Sequence, residues 1–120
     1  MAVDKLARLV ESLGKENLER IIDSFCAHGD PRSIYIFGSY ARGDYTSESD
    51  VDIYVTYDNL EHMDLLYKRM KSGSALGRSG FPLSFDLLVN NEEQFLLNSE
   101  YDYTIEHNVI NEGIKIFEAR

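Results

Sequence analysis

Residues 50–55 set an apolar run into a fixed rhythm, in which Asp50 and Asp52 alternate with Val51, Ile53 and Val55. In a strand, successive side chains point to opposite faces. Val51, Ile53 and Val55 then make a core face, and the two aspartates stand side by side on the other. Like charges this close repel, and one of them is driven towards its protonated form. A divalent cation removes the conflict. Two carboxylates together with phosphate oxygens are what Mg²⁺ usually takes.

A second feature lies just upstream. The apolar run from Ile34 to Phe37 stops at Gly38-Ser39, with ten residues between Ser39 and Asp50. Glycine after a strand lets the backbone turn sharply and lets a ligand come close. Ser39 is placed to cap a short helix through Tyr40, Ala41 and Arg42. Free N–H groups at a helix start favour phosphate. A phosphate cradle beside a metal-binding carboxylate pair makes a site for a nucleoside triphosphate.

A third carboxylate comes from the run L-S-F-D-L-L-V at residues 83–89, where Asp86 sits inside an apolar strand pattern. A lone aspartate there is costly unless it is paired, hydrogen-bonded or bound to metal. Alternation points Asp86 and Leu88 one way and Phe85, Leu87 and Val89 the other. Placed beside Asp50 and Asp52, Asp86 completes a three-carboxylate metal site.

G-S, ten residues, then D-x-D, with A-R-G after the serine, S-D-V-D-I around the aspartates and Asp86 downstream, resembles the minimal nucleotidyltransferases of the DNA polymerase β superfamily. The likeness spans roughly residues 33–117. It implies an α/β (α+β) nucleotidyltransferase fold, with a small mixed sheet, helices packed on one face and the active site at the other. It also implies catalysis by Asp50, Asp52 and Asp86 with two Mg²⁺, one held by Asp50 and Asp52 to grip the triphosphate and one shared with Asp86 to bring in the acceptor hydroxyl. Gly38 and Ser39 would anchor the β- and γ-phosphates of ATP. Arg42 is open to two readings, contact with phosphate or pairing with Asp44 or Glu48.

Composition narrows the partners. With 12 Lys and Arg against 21 Asp and Glu, the net charge is −9. Affinity for a phosphate backbone needs basic excess, so direct nucleic-acid binding is not expected. The chain has 120 residues, enough for one domain over residues 1–120. It has no apolar run long enough for a membrane span, and Asp4, Lys5 and Arg8 interrupt any leader pattern. Cys26 is the single cysteine, so no internal disulfide is expected, and a cytoplasmic location is the default. Cys26 reads as a structural thiol on the margin of a helix face. His28, His62 and His107 lack zinc-ligand spacing.

The remaining periodicity predicts helices over residues 3–13 and 15–27, strands at 34–37 and 50–57, and a helix over 60–71 capped at Asp58-Asn59, with Met63, Leu66, Tyr67 and Met70 as its buried stripe. Residues 72–80 read as slack before the next strand, or as a mobile flap with Arg78 reaching phosphate. A strand over 83–89 follows. A last helix over 100–111 is expected, capped by Ser99 with Tyr101, Ile105 and Val109 inward, and then a short strand over 114–117.

The acceptor is less legible. Larger relatives append a recognition domain, for which little chain remains after Asp86. Stand-alone chains of this size resemble the minimal nucleotidyltransferase antitoxins of prokaryotic two-gene modules. That likeness implies transfer of AMP from ATP to a tyrosine of an HEPN-type ribonuclease toxin. Two alternatives stand beside it: a binding module that neutralises its partner by stoichiometric contact, and one subunit of an aminoglycoside-type nucleotidyltransferase.

Overall fold

The computed structural model describes residues 4–120; the expected helix start at residue 3 lies outside the described residues. Helix α1 (Lys5–Leu13) begins where Asp4 caps it, its carboxylate accepting from the N–H groups of Leu6 and Ala7 at 3.0 and 3.3 Å. Gly14, at φ 86°, breaks the chain into α2 (Lys15–Ala27). Both helices bury one stripe: Leu9 and Leu13 from α1, Leu18, Ile21 and Phe25 from α2. Cys26 falls off that stripe and is exposed. Burial, then the carboxylates of Asp23 and Asp30, push its thiol up, which keeps it a poor nucleophile.

Strand β1 (Ser33–Phe37) leads into the short helix α3 (Ser39–Arg42), and β2 (Val51–Tyr57) follows. Helix α4 (His62–Arg78) crosses over to β3 (Phe85–Asn91). The chain closes with α5 (Glu92–Ser99), α6 (Ile105–Glu112) and β4 (Ile114–Glu118). The sheet order is β3-β2-β1-β4, with β2 and β3 parallel and the other pairs antiparallel. The expected mixed sheet in an α/β arrangement is therefore present.

Strand alternation sorts the core into two layers. Ile34, Ile36, Val51, Ile53, Val55 and Leu87 meet α1, α2 and α4 on one face. Tyr35, Tyr54 and Leu88 meet Phe95 of α5 and Val109 of α6 on the other. Helices on one face alone therefore describes α1, α2 and α4; α5 and α6 cover part of the face that carries the aspartates. Aromatic side chains make this possible. Phe95 stacks on Tyr35 at 5.2 Å and lies 4.9 Å from Tyr54, giving a short helix enough apolar area to hold.

Three expectations change. α4 does not stop near residue 71 but runs to Arg78, through the stretch read as slack or flap, because Ser72 and Leu76 are fully buried and anchor its last turns. Arg78 bonds Ser74 Oγ at 2.8 Å within that helix. The stripe Met63, Leu66, Tyr67 and Met70 is exposed, and Leu65, Ser72 and Leu76 face inward instead. The basic residues of α4 have structural partners: Lys68 Nζ donates to His28 O at 3.0 Å and Arg69 Nε to Leu87 O at 2.9 Å. Finally, the last helix starts later than residue 100, and a further helix precedes it. Ser99 ends α5 instead of capping the last helix, and α6 (Ile105–Glu112) is capped by Thr104, whose hydroxyl accepts from His107 N–H at 3.1 Å. Val109 is buried, while Tyr101 and Ile105 are exposed.

Polar ties join the second layer to the sheet: Thr56 Oγ1 donates to Glu92 Oε1 of α5 at 2.7 Å, and a second bond holds α6. Tyr54 Oη donates to Glu106 Oε2 at 2.6 Å. Burial, and then that carboxylate, push the phenol well above its ordinary range, so it stays a donor. Hydrogen bonds to charged groups contribute about 1.5–3 kcal/mol. Tyr54→Phe is expected to lose about that much stability, read as a lower urea midpoint at unchanged slope. An unchanged midpoint would mean that Glu106 does not hold α6 to the sheet.

Candidate active site

The strand register brings the expected carboxylates together. Asp52 pairs directly with Asp86 across the parallel β2–β3 ladder, and on its other side it faces Phe37, the last residue of β1. Asp50 lies just before β2, where Val51 N–H bonds Ser84 O at 2.9 Å and Ser84 Oγ bonds Asp50 Oδ1. Asp50, Asp52 and Asp86 thus gather at one end of the sheet, on the face not covered by α1, α2 and α4.

Their electrostatics carry the expected conflict. Asp52 is held above the ordinary aspartate value, first by burial, then by the charges of Asp86 and Asp50, with Arg42 opposing. Among the described residues no group of three or more His, Cys, Asp or Glu side chains is placed to hold a metal ion by itself. Bare carboxylates that repel do not close on one another. Mg²⁺ keeps several waters and takes one or two carboxylates plus substrate phosphate. The Asp52–Asp86 pair, with Asp50 beside it, fits that demand.

Gly38 supplies the other half. It sits at φ 72°, ψ −150°, a region closed to other residues. A Cβ on Gly38 would overlap the Asp52 carboxylate. The backbone of the β1–α3 turn therefore lies directly against the carboxylate cluster, and only glycine allows it. The helix cap is Gly38 rather than Ser39: no side chain caps α3, and Ser39 is its first helical residue. The first N–H groups of α3 consequently have no partner inside the helix, which is where a phosphate oxygen is accepted. Tyr40 and Ala41 are buried and fix α3 to the core, and Tyr40 stacks on Tyr45 at 4.4 Å.

Arg42 leaves the other side of α3. Its guanidinium meets Asp44 at 3.3 Å and Glu112 at 3.5 Å, not Glu48. Glu112 comes from α6, seventy residues away in sequence, and nothing local in the sequence points to it. Ser84, which positions Asp50, was equally hidden, since it reaches Asp50 only through the β2–β3 register.

A family model described as "Polymerase beta, Nucleotidyltransferase" matches residues 19–120. The chain belongs to this family. It is a nucleotidyltransferase. Among curated relatives, a protein of Methanocaldococcus jannaschii named "putative protein adenylyltransferase" is 36% identical over 85 residues, which cover 71% of this chain and 77% of that protein. Among solved structures, a toxin–antitoxin crystallised with AMP-PNP superimposes with TM-score 0.56 at 24% identity, over 87% of this chain and 75% of that one. A variant of the MntA–HpeT toxin–antitoxin superimposes with TM-score 0.52 at 25% identity, over 85% and 72%. These structures share the nucleotidyltransferase fold with this chain. Among the described residues no helix is long and apolar enough to cross a membrane.

Proposed function

We propose that this nucleotidyltransferase, acting as one domain over residues 1–120, moves AMP from ATP to a hydroxyl of a partner protein. The partner we have in mind is an HEPN-type toxin, the acceptor a tyrosine, and the setting the cytoplasm. The observation that carries the reading is the juxtaposition of Asp52 with Asp86 across β2–β3 and with the Gly38 turn beside them. A relative named as a protein adenylyltransferase and toxin–antitoxin neighbours, one of them with AMP-PNP, support it.

Each part has a task in this reading. Gly38 and the opening turn of α3 receive the β- and γ-phosphates through backbone N–H groups. Ser39, at the first helical position, offers its hydroxyl to the same groups. Asp50, Asp52 and Asp86 are the residues that would hold Mg²⁺, which when bound supplies charge neutralisation of the triphosphate and a lowered acceptor pKa. Ser84 keeps Asp50 aimed at the cluster. Asp86, on the outermost strand, accepts the acceptor's proton. Arg42, bound to Asp44 and Glu112, steadies the α3 turn and lowers the charge conflict at Asp52.

Label position separates this chemistry from phosphorylation. With ATP labelled at the α-phosphate, the partner protein is expected to become labelled; with γ-labelled ATP it is not. Label arriving only from the γ position, or a partner bound but unlabelled in either case, would refute the reading, the second result in favour of stoichiometric binding.

A further inference from the structure

Helix α4 turns a line of apolar and small residues away from the core. Met63, Leu66, Met70, Gly73 and Gly77 recur at intervals of three, four, three and four, the spacing of a helix–helix seam. Met63 is 71% exposed and Met70 65%, with Leu66 and Tyr67 exposed beside them. Within one chain the last of these positions has no packing role. A Cβ on Gly73 would touch Leu87 Cδ2 at 3.6 Å, but one on Gly77 would meet nothing within 4 Å. Glycine inside a helix is destabilising, and at Gly77 no contact of the single chain offsets that.

Size and charge both change along this helix. Its first half carries the bulky Met63, Leu66 and Tyr67, and its second half carries Gly73, Ser74 and Gly77. The exposed acids Glu61 and Asp64 stand at the first end, and the exposed Arg78 at the other. Asp64, Lys71 and Arg78 follow one another every seven residues and so share a flank of the seam.

A surface graded in this way is complementary to itself when reversed. Two copies of α4 laid antiparallel, with Met70 on Met70, set Met63 of each copy over Gly77 of the other. Leu66 and Tyr67 then lie over Ser74 and Gly73, so each large side chain meets a small one. The same arrangement brings Asp64 of each copy to Arg78 of the other, and a two-fold axis makes every such contact twice. Lys71 falls nearest the axis, where it is held 5.5 Å over the ring of its own Tyr67. Lys68 and Arg69 are engaged within the chain, at His28 O and Leu87 O. A parallel pairing would instead put bulk on bulk, glycine on glycine and acid on acid.

Charge also selects the occupant. Residues 61–78 hold two acidic groups, Glu61 and Asp64, and four basic ones, Lys68, Arg69, Lys71 and Arg78, in a chain of net charge −9. The remaining surface is correspondingly more acidic, so two copies meet with least repulsion over α4.

We propose that α4 is a self-association surface, through which two copies of this chain pair antiparallel about a two-fold axis at Met70. Leu66, Met70, Gly73 and Ser74 also line a groove of about 540 Å³ that runs to Phe85 and Asp86. The second copy therefore walls that groove along its α4 side. Pairing needs neither nucleotide nor another protein.

Sedimentation equilibrium on the full chain tests the pairing. The mass is expected to climb with concentration to that of two chains. Met70→Glu places two carboxylates at the axis and is expected to raise the dissociation constant about 100-fold or more. Gly77→Leu fills the space that receives Met63 and is expected to raise it about tenfold or more. Neither site is packed within the single chain. At dilutions where wild type is a single chain, Met70→Glu should therefore unfold at the same urea concentration, and Gly77→Leu at a higher one. Disulfide trapping in a Cys26→Ser background reads the orientation, since the bond needs Cα atoms within about 7 Å. Met63→Cys chains mixed with Gly77→Cys chains are expected to cross-link to each other, and Met63→Cys chains alone are not. A single-chain mass at every concentration overturns the proposal. So does a dimer that survives Met70→Glu, which would place the interface elsewhere, or a Met63→Cys chain that cross-links to itself, which would make the pairing parallel.

Discussion

Asp52→Asn is expected to abolish nucleotidyl transfer, by about 10³-fold or more, and at the same time to raise the thermal midpoint of the cation-free protein. The first effect follows from the position of Asp52 between Asp86 and the Gly38 turn. An ion-binding carboxylate supplies several kcal/mol of transition-state stabilisation, and each 1.36 kcal/mol is about tenfold in rate. The second effect follows from the direction of its titration. Burial and the neighbouring carboxylates hold Asp52 above its ordinary value, so the native state binds this proton more tightly than the unfolded chain does. The stability this group contributes is present at low pH and is lost as pH rises through the raised value. Asparagine carries no charge and escapes that loss. The midpoint gap between variant and wild type should be largest near neutral pH and close as pH falls towards the ordinary aspartate value. Mg²⁺ with a non-hydrolysable ATP analogue should raise the wild-type midpoint far more than the variant's. A variant that melts lower than wild type at neutral pH, or keeps its activity, contradicts this assignment.

Gly38→Ala is expected to lose both activity and stability. The backbone at φ 72°, ψ −150° costs an alanine about 1–3 kcal/mol, and its Cβ would overlap the Asp52 carboxylate. To relieve the overlap, either the Asp52 carboxylate swings away or the α3 turn withdraws. Either movement separates the phosphate cradle from the carboxylates, and a misplacement of about 1 Å costs roughly 10²-fold. Gly14→Ala is the matched control. Gly14 has a similar backbone, at φ 86°, but nothing within 4 Å of its would-be Cβ. It should lose comparable stability, seen in denaturant melts, with transfer rates unchanged. Equal rates for Gly38→Ala and wild type would remove the β1–α3 turn from the site.

The end of the sheet that carries the site was largely readable from the sequence, because it rests on short-range rules. Strand alternation places Asp52 opposite Val51 and Ile53, and a glycine at the end of β1 announces the turn. What alternation cannot supply is register. Asp52 meeting Asp86, and Ser84 meeting Asp50, depend on how β2 and β3 slide past each other, which is set by the length and packing of α4. That helix was misjudged twice for physical reasons. Gly73, Gly77 and three serines over residues 72–79 look like helix breakers, yet the buried Leu76 and Ser72 hold the helix through them. Helical spacing fits two stripes on α4, and the larger one, Met63 to Met70, is the exposed one. Periodicity shows that a face is apolar and cannot show what covers it. α5 escaped because eight residues, Glu92–Ser99, give too few turns for a periodic signal, and its place is secured by Phe95 against Tyr35 and Tyr54, contacts distant in sequence.

The most direct measurement is intact mass spectrometry on the product of the neighbouring gene, as the candidate for the proposed partner, after incubation with this enzyme, ATP and Mg²⁺, beside a control carrying Asp50→Asn and Asp52→Asn. The expected result is a partner heavier by one or more AMP units, with fragment ions placing the added mass on a tyrosine, and an unmodified partner in the control. A partner of unchanged mass with the wild-type enzyme, although the two proteins form a stable complex, would contradict adenylyl transfer to protein and leave stoichiometric binding as the function.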